Sequence, residues 1–293
     1  MAKAIRPFNI SLFLVFVVCM CRAQSSDLLR LEYLRIPENN TGVHTERFKF
    51  ALNLPLKLSK EDYFVVGSEY NQFNINFSKD FGFDTAQLQK LHIIDLNLGY
   101  ITKWNDNWRL IGILTPRLAS NLTQGTTIDD YFFNATATFL KDNPKADKPY
   151  RIVLGLSYNS TTGLPIPLPV VSYYKRFHPN WSYTLGIPKS NFKYHPSEDH
   201  IVQLALLLDG YFVNVQNPIA MPEGVDATRI SLSALVATLG YQYKVSNIAS
   251  FYAYFGKSVH QEGKLRDNKR NDVFLLNGES NFFIRGGFKV SIF

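Results

Sequence analysis

Six residues carry the densest cluster of reactive side chains in this chain. "HPSEDH" (195–200) sets His195 and His200 around Glu198 and Asp199. Imidazole and carboxylate together hold zinc or drive general-base chemistry. A metal site needs a further ligand group, however, and His44, His92, His178 and His260 lie scattered along the chain. A hydrolase would need serine, histidine and a carboxylate or amide brought to one rim. No spacing singles out such a set, and there is neither a phosphate-cradling glycine loop nor a zinc motif. The segment reads as a polar loop, and the chain as one without catalysis, cofactor or metal.

A second set of candidates is defined by position. Arg47, Lys49, Lys57, Arg151 and Arg229 fall on the polar side of two-faced segments, as do Arg285 and Lys289. Asp95 and Asp209 share that side and are their natural counter-ions. Seven cations against two acids would give an interior that favours anions, since rings of Lys or Arg select them. The competing and preferred interpretation is structural, with these groups paired inside a narrow barrel filled by its own side chains.

These positions imply long extended segments. In "RFKFALNLPLKL" (47–58), Phe48, Phe50, Leu52, Leu54, Leu56 and Leu58 alternate with Lys49, Asn53 and Lys57. "IIDLNLGY" (93–100), "YFFNATATF" (131–139), "YRIVLGLSY" (150–158), "WSYTLGI" (181–187) and "FFIRGGFKVSIF" (282–293) alternate in the same way. A period of two with one consistent apolar side is the strand signature. Further strands are expected over 63–77, 88–103, 108–119, 168–177, 201–215, 229–244 and 248–258. Residues 229–244 change face near Leu235, which predicts a bulge. The expected connections alternate between tight turns such as "NDN" (105–107) and "HPN" (178–180) and longer loops at 78–87, 120–129, 191–199 and 216–227. Pro165, Pro167 and Pro169 predict a stiff outer loop or strand entrance over 162–171.

Length separates a soluble from a membrane barrel. Twelve residues at about 3.3 Å, tilted by about 40°, rise roughly 30 Å, whereas soluble strands average about 5–6 residues. The face opposite the apolar one is rich in Gly, Ser, Thr and Asn, which suits a wet lumen. Tyr100, Trp108, Tyr150, Tyr158 and Trp181 sit at or near strand ends, where such rings favour the lipid–water boundary. Backbone groups cannot stay unpaired in hydrocarbon, so such strands must close into a ring. The expectation is an all-β, closed antiparallel transmembrane barrel of about 12 strands, or 14 if 28–36 and 272–276 take part.

The N-terminus reads as a secretory signal peptide over residues 1–23: Lys3 and Arg6, an apolar run from Ile10 to Cys21, then Ala23. The run is about twelve residues, short of the ~20 that span a bilayer as a helix. Its removal takes three cations (Lys3, Arg6, Arg22) and no acids, so the net charge falls from +7 to +4. The same cut removes Cys19 and Cys21, the chain's 2 cysteines, which excludes disulfides and thiol chemistry. That modest charge and export argue against nucleic-acid binding. Residues 24–43 form a lead-in, with 28–36 as a candidate first strand, and 44–293 form the barrel.

The terminal "FFIRGGFKVSIF", "GLPIPLPVVSYYKRF" and "LDGYFVNV" resemble segments of an uncharacterised family of bacterial outer-membrane β-barrels, of the type common in Bacteroidota. The resemblance spans most of the mature chain. It implies outer-membrane lipid as surroundings and the barrel-assembly machinery, which reads a terminal aromatic, as a partner. Phe293 departs from the usual pattern by falling in register with Arg285 and Lys289. Three functional classes follow: a small-solute pore or structural barrel, an outer-membrane enzyme acting on lipids, and a soluble secreted barrel holding an apolar ligand. A mild anion preference is expected if a pore exists.

Overall fold

The computed structural model describes residues 27–160, 166–222 and 224–291. The proposed signal peptide and Phe293 lie outside them, as do residues 162–165 of the proline-rich stretch. The described strands are β1 (Asp27–Ile36), β2 (Val43–Lys57), β3 (Tyr63–Phe77), β4 (Lys90–Lys103) and β5 (Arg109–Ser120). They continue with β6 (Tyr131–Asn143), β7 (Tyr150–Tyr158), β8 (Pro167–His178), β9 (Trp181–Ile187) and β10 (Lys189–Tyr194). The last five are β11 (His200–Ile219), β12 (Ala227–Lys244), β13 (Ala249–Arg266), β14 (Asp272–Asn277) and β15 (Phe282–Ser291).

Each strand from β1 to β13 pairs antiparallel with the next, and β15 pairs with both β13 and β1, which closes the ring. β14 and β15 both pair with β13, β14 along its C-terminal part and β15 along its N-terminal part. They are one wall strand interrupted at 278–281, so the closed barrel has 14 strands. The expected count is met by a different membership. Residues 272–277 only extend the last strand. The additional one is β10, within and just before the stretch expected to be a loop at 191–199. β9 and β10 were hard to separate because Pro188 alone joins them. The face change expected in 229–244 does not occur, because β12 keeps its alternation through Leu235; the bulge is on its partner β13, where Val259 is the extra residue.

The short β9–β10 hairpin leaves a notch in the wall. Above it, Pro167–Val170 of β8 pair with β7, and Gly210–Asn214 of β11 pair with β12. β8 is therefore an edge strand there. Pro167 and Pro169 have no N–H to strand at that edge. Thus part of the proline-rich segment is strand, with alternate prolines aiming their missing donor at the gap.

Polarity is reversed relative to a soluble protein, and then reverses back. On the outward face of β2, Phe48, Leu52, Leu54 and Leu56 are exposed, while inward Arg47 and Ala51 are buried. Leu154, Leu156, Leu185, Leu204, Leu206, Leu208, Leu239, Phe251 and Phe255 continue the exposed apolar belt around the ring. From Phe48 to Leu58 the chain advances ten residues, about 33 Å, or about 25 Å when tilted, which equals the apolar band of a membrane barrel. Exposed Tyr100, Trp104, Tyr194, Tyr241 and Tyr243 fringe the belt at the short-turn end. Beyond Phe48, at the long-loop end, outward positions turn polar: Glu46 faces Asn74 and His44 faces Asn76. The inward positions there become apolar. Val43, Phe73, Ile75, Leu91, Ile93, Val213 and Leu265 form a buried core with Leu88. The strand register does not slip on β2 and β3; the solvent outside changes.

Candidate lumen site

β11 shapes the interior. Up to Gly210 its burial alternates, but Tyr211–Val215 are all buried. This upper part crosses to β5, bridging it at Asn214–Ser120 in parallel sense. Its odd residues Tyr211, Val213 and Val215 join the apolar core. Phe212 turns the other way and packs edge-on against Phe132, with centroids 5.7 Å apart.

The segment 121–130 lies along that back face. Asp130 ends a short 3-10 turn (Ile128–Asp130) whose capping box joins it to Thr127. Its carboxylate accepts hydrogen bonds from Asn214 Nδ2 at 2.6 Å and Gln216 Nε2 at 2.9 Å. Asn121 Oδ1 accepts from Gln216 N at 3.1 Å, and Gln216 Oε1 accepts from Gln124 N at 2.8 Å. Burial opposes ionisation of Asp130, but the Thr127 backbone N–H, at 2.7 Å, with the Ser120, Asn214 and Gln216 side chains outweighs it and holds its pKa below the usual carboxylate range. This seam and the apolar core together form a cap at the long-loop end.

Below the cap sits a closed circuit of charge. Arg47 Nη2 donates to Glu32 Oε1 at 2.9 Å and Arg47 Nη1 to Asp209 Oδ1 at 3.3 Å. Arg285 Nη2 donates to Asp209 Oδ2, and its Nε lies 3.5 Å from Glu32 Oε1. Tyr252 OH donates to Glu32 Oε2 at 2.8 Å. Two guanidiniums and two carboxylates from β1, β2, β11 and β15 thus alternate and cancel. β2 and β11 are not neighbours in the wall, so the Arg47–Asp209 pair spans the lumen. Between circuit and cap remains a void of about 40 Å³ lined by Arg47, Asp209 and Tyr211, room for a water or so.

The remaining sequence candidates are placed as follows. Lys49 pairs with Glu69 at 2.6 Å. Asp95 receives both Arg117 Nε (2.7 Å) and Nη2 (2.8 Å). Arg151 meets Asp142 at 3.0 Å, and Lys289 lies 3.9 Å from Asp27. Lys57 is exposed at the short-turn rim. Arg229 shares the face of Asn214, to which it donates, and reaches Asp129 at 3.4 Å. It belongs to the cap's back face, not to the lumen circuit. Sequence reasoning missed Glu32, Glu69, Arg117 and Asp142, although all four fall on the inward register of their strands.

A further inward group gathers toward the short-turn end. Lys193 of β10 is within electrostatic reach of Lys189, Lys244 and Lys289, and Lys189 of Arg30 and Lys289. Lys189 also lies 5.9 Å from the Tyr254 ring. Glycines keep this chamber open by letting rings lie flat on the wall: a Cβ at Gly240 would run into Tyr254, and one at Gly287 would come within 2.6 Å of the Tyr252 hydroxyl.

The histidines of "HPSEDH" part company. His195 Nε2 lies 3.0 Å from Ser182 Oγ, while His200 stacks on Tyr241 and hydrogen-bonds its hydroxyl. Burial, with Arg176, Lys193 and Lys244 nearby, pushes the His195 pKa down to about 4. Among the described residues no carboxylate bonds its other ring nitrogen, and Ser182 is 1 % exposed. No group of three His, Cys, Asp or Glu side chains is placed to hold a metal among the described residues.

The class is thus a closed antiparallel barrel with an apolar exterior belt, a charge-paired interior and a cap at one end. Residues 37–291 match the family described as "Domain of unknown function (DUF6268)", and the chain belongs to it. No curated protein matches. Similar solved structures include the KdgM porin in complex with disordered oligogalacturonate (9 % identity, TM-score 0.37, 90 % of this chain and 99 % of that one). LpxR from Salmonella typhimurium is another (8 %, 0.40, 89 % and 99 %). The TodX monoaromatic hydrocarbon channel deltaS2 mutant is a third (10 %, 0.38, 92 % and 91 %). At that distance the likeness carries nothing about cargo or activity.

Proposed function

We propose that this protein is an outer-membrane barrel that spans the bilayer with its apolar belt and holds a lumen obstructed by its own side chains. The observation that carries this is the belt itself, about 25 Å tall, outside a wall whose inner face carries buried Glu32, Arg47 and Asp95. A soluble barrel with an apolar ligand inside would need the opposite arrangement at that level. The short-turn end, where β1 begins and β15 ends, faces the periplasm, and the barrel-assembly machinery inserts the chain. The role is structural or that of a tightly restricted small-solute path, not catalysis. Against a lipid hydrolase stands the inward-facing Ser182–His195 pair, which among the described residues has no carboxylate bonded to it and sits among cations.

Heat-modifiable gel mobility and planar-bilayer recording test this. The folded barrel is expected to run faster unheated and to need detergent. Its conductance is expected to be far below that of an open 14-stranded ring. Monodisperse behaviour in plain buffer, or a large steady conductance, would overturn the proposal.

A further inference from the structure

The outer wall carries a feature that a uniform membrane surface lacks. Across β9 to β13 runs an open apolar groove of about 780 Å³, lined by Leu185, Phe192, Leu206, Ala237, Phe255 and Lys257. The groove exists because Ala237 stands on an outward row between Leu235 and Leu239, and because the β9–β10 hairpin stops short beside it. Lys257, on β13, lies opposite Ala237 of β12 and Phe282 of β15. It points outward among apolar side chains, below the level where β13 turns polar at His260 and Glu262. Its Nζ sits 5.1 Å from the Phe282 ring centroid, and no carboxylate is within salt-bridge distance among the described residues. A cation on a lipid-facing surface is costly unless it finds a counter-charge, and its long stem lets the head reach toward the boundary.

We propose that this groove is a binding site for an anionic lipid of the surrounding bilayer, with an acyl chain along the groove and a headgroup phosphate on Lys257. This rests on the membrane-spanning reading above. Chain and charge are both needed. The groove alone would accept any lipid tail, and Lys257 alone would attract any anion.

The test places the folded barrel in nanodiscs of phosphatidylcholine with a minority of phosphatidylglycerol and measures co-retained lipid by native mass spectrometry. Phosphatidylglycerol is expected to be enriched over its bulk share. Lys257→Gln should reduce that enrichment about fivefold, the reach of a partly exposed charge pair. Lys257→Arg should restore it. Ala237→Phe should abolish it by filling the groove with the charge intact, and Lys60→Gln in an exposed turn should change nothing. Unchanged enrichment in Lys257→Gln, or an equal loss in Lys60→Gln, would overturn the proposal. A chain that does not enter nanodiscs at all would instead sink the membrane reading.

Discussion

Asp209→Asn strikes the lumen circuit where it bridges three strands. The carboxylate serves both Arg47 and Arg285, so its loss leaves two guanidiniums facing one remaining acid, Glu32. Arg47 is 8 % exposed and Glu32 4 %, so water does little to compensate. Removing one partner of a buried pair costs about 3–5 kcal/mol. The Asp209 side chain is 23 % exposed, which places the expected loss at the lower end, about 3 kcal/mol. The assay is urea unfolding in detergent micelles followed by tryptophan fluorescence, with the midpoint converted through an unchanged slope. Arg47→Met combined with Asp209→Asn should recover part of the loss, because one cation no longer lacks its partner. A single-mutant loss below about 1 kcal/mol would mean that the lumen is wet enough to screen these charges, and the circuit would not be a structural bridge.

Four other outcomes are expected. Asn214→Ala, which removes the hydrogen bond to Asp130 and one partner of Arg229, should loosen the cap and raise single-channel conductance without releasing the barrel from the bilayer. In whatever small current exists, Lys189→Gln with Lys193→Gln should shift the reversal potential toward cations, whereas Lys60→Gln should not. Lowering the pH from 6.5 to 4 should weaken the fold through His195. The unfolded chain takes up a proton there and the folded one, with its pKa pushed down to about 4, does not. His195→Gln should flatten the stability profile over that window. Gly240→Ala should cost about 1–3 kcal/mol by driving Tyr254 off the wall, read as a lower urea midpoint.

The barrel was legible in the sequence because its signal has period two and the strands are long. Phe48 to Leu58 says almost everything about which side of β2 meets an apolar medium. What could not be read was a change of solvent along an unbroken register. Val43, Phe73 and Ile75 share the inward side of Arg47 and Asn71, so the polar face becomes a core without any slip. The crossing of β11 was hidden for a related reason. Tyr211–Val215 are buried on both sides by elements far away in sequence, and a single chain does not announce its distant neighbours. Arg47, Arg285 and Asp209 were recognisable as inward charges, but the fourth member of the circuit, Glu32, was not. Glu32 sits in a segment of uncertain membership, and its partners come from strands 15 and 253 residues along the chain. The β9–β10 hairpin escaped because its turn is a single proline with no polar loop to mark it.

The central claim is that lipid touches the outward belt and water touches the same face beyond it. Single cysteines placed one at a time along Val202–Leu208 of β11 and His260–Lys264 of β13, each carrying an environment-sensitive fluorophore, test it in vesicles. Labels at 202, 204, 206 and 208 should be quenched by a bilayer-dissolved quencher, and those at 203, 205 and 207 should not. Labels at 260, 262 and 264 should respond only to an aqueous quencher. Loss of the alternation on β11, or aqueous quenching of its even positions, would contradict the account.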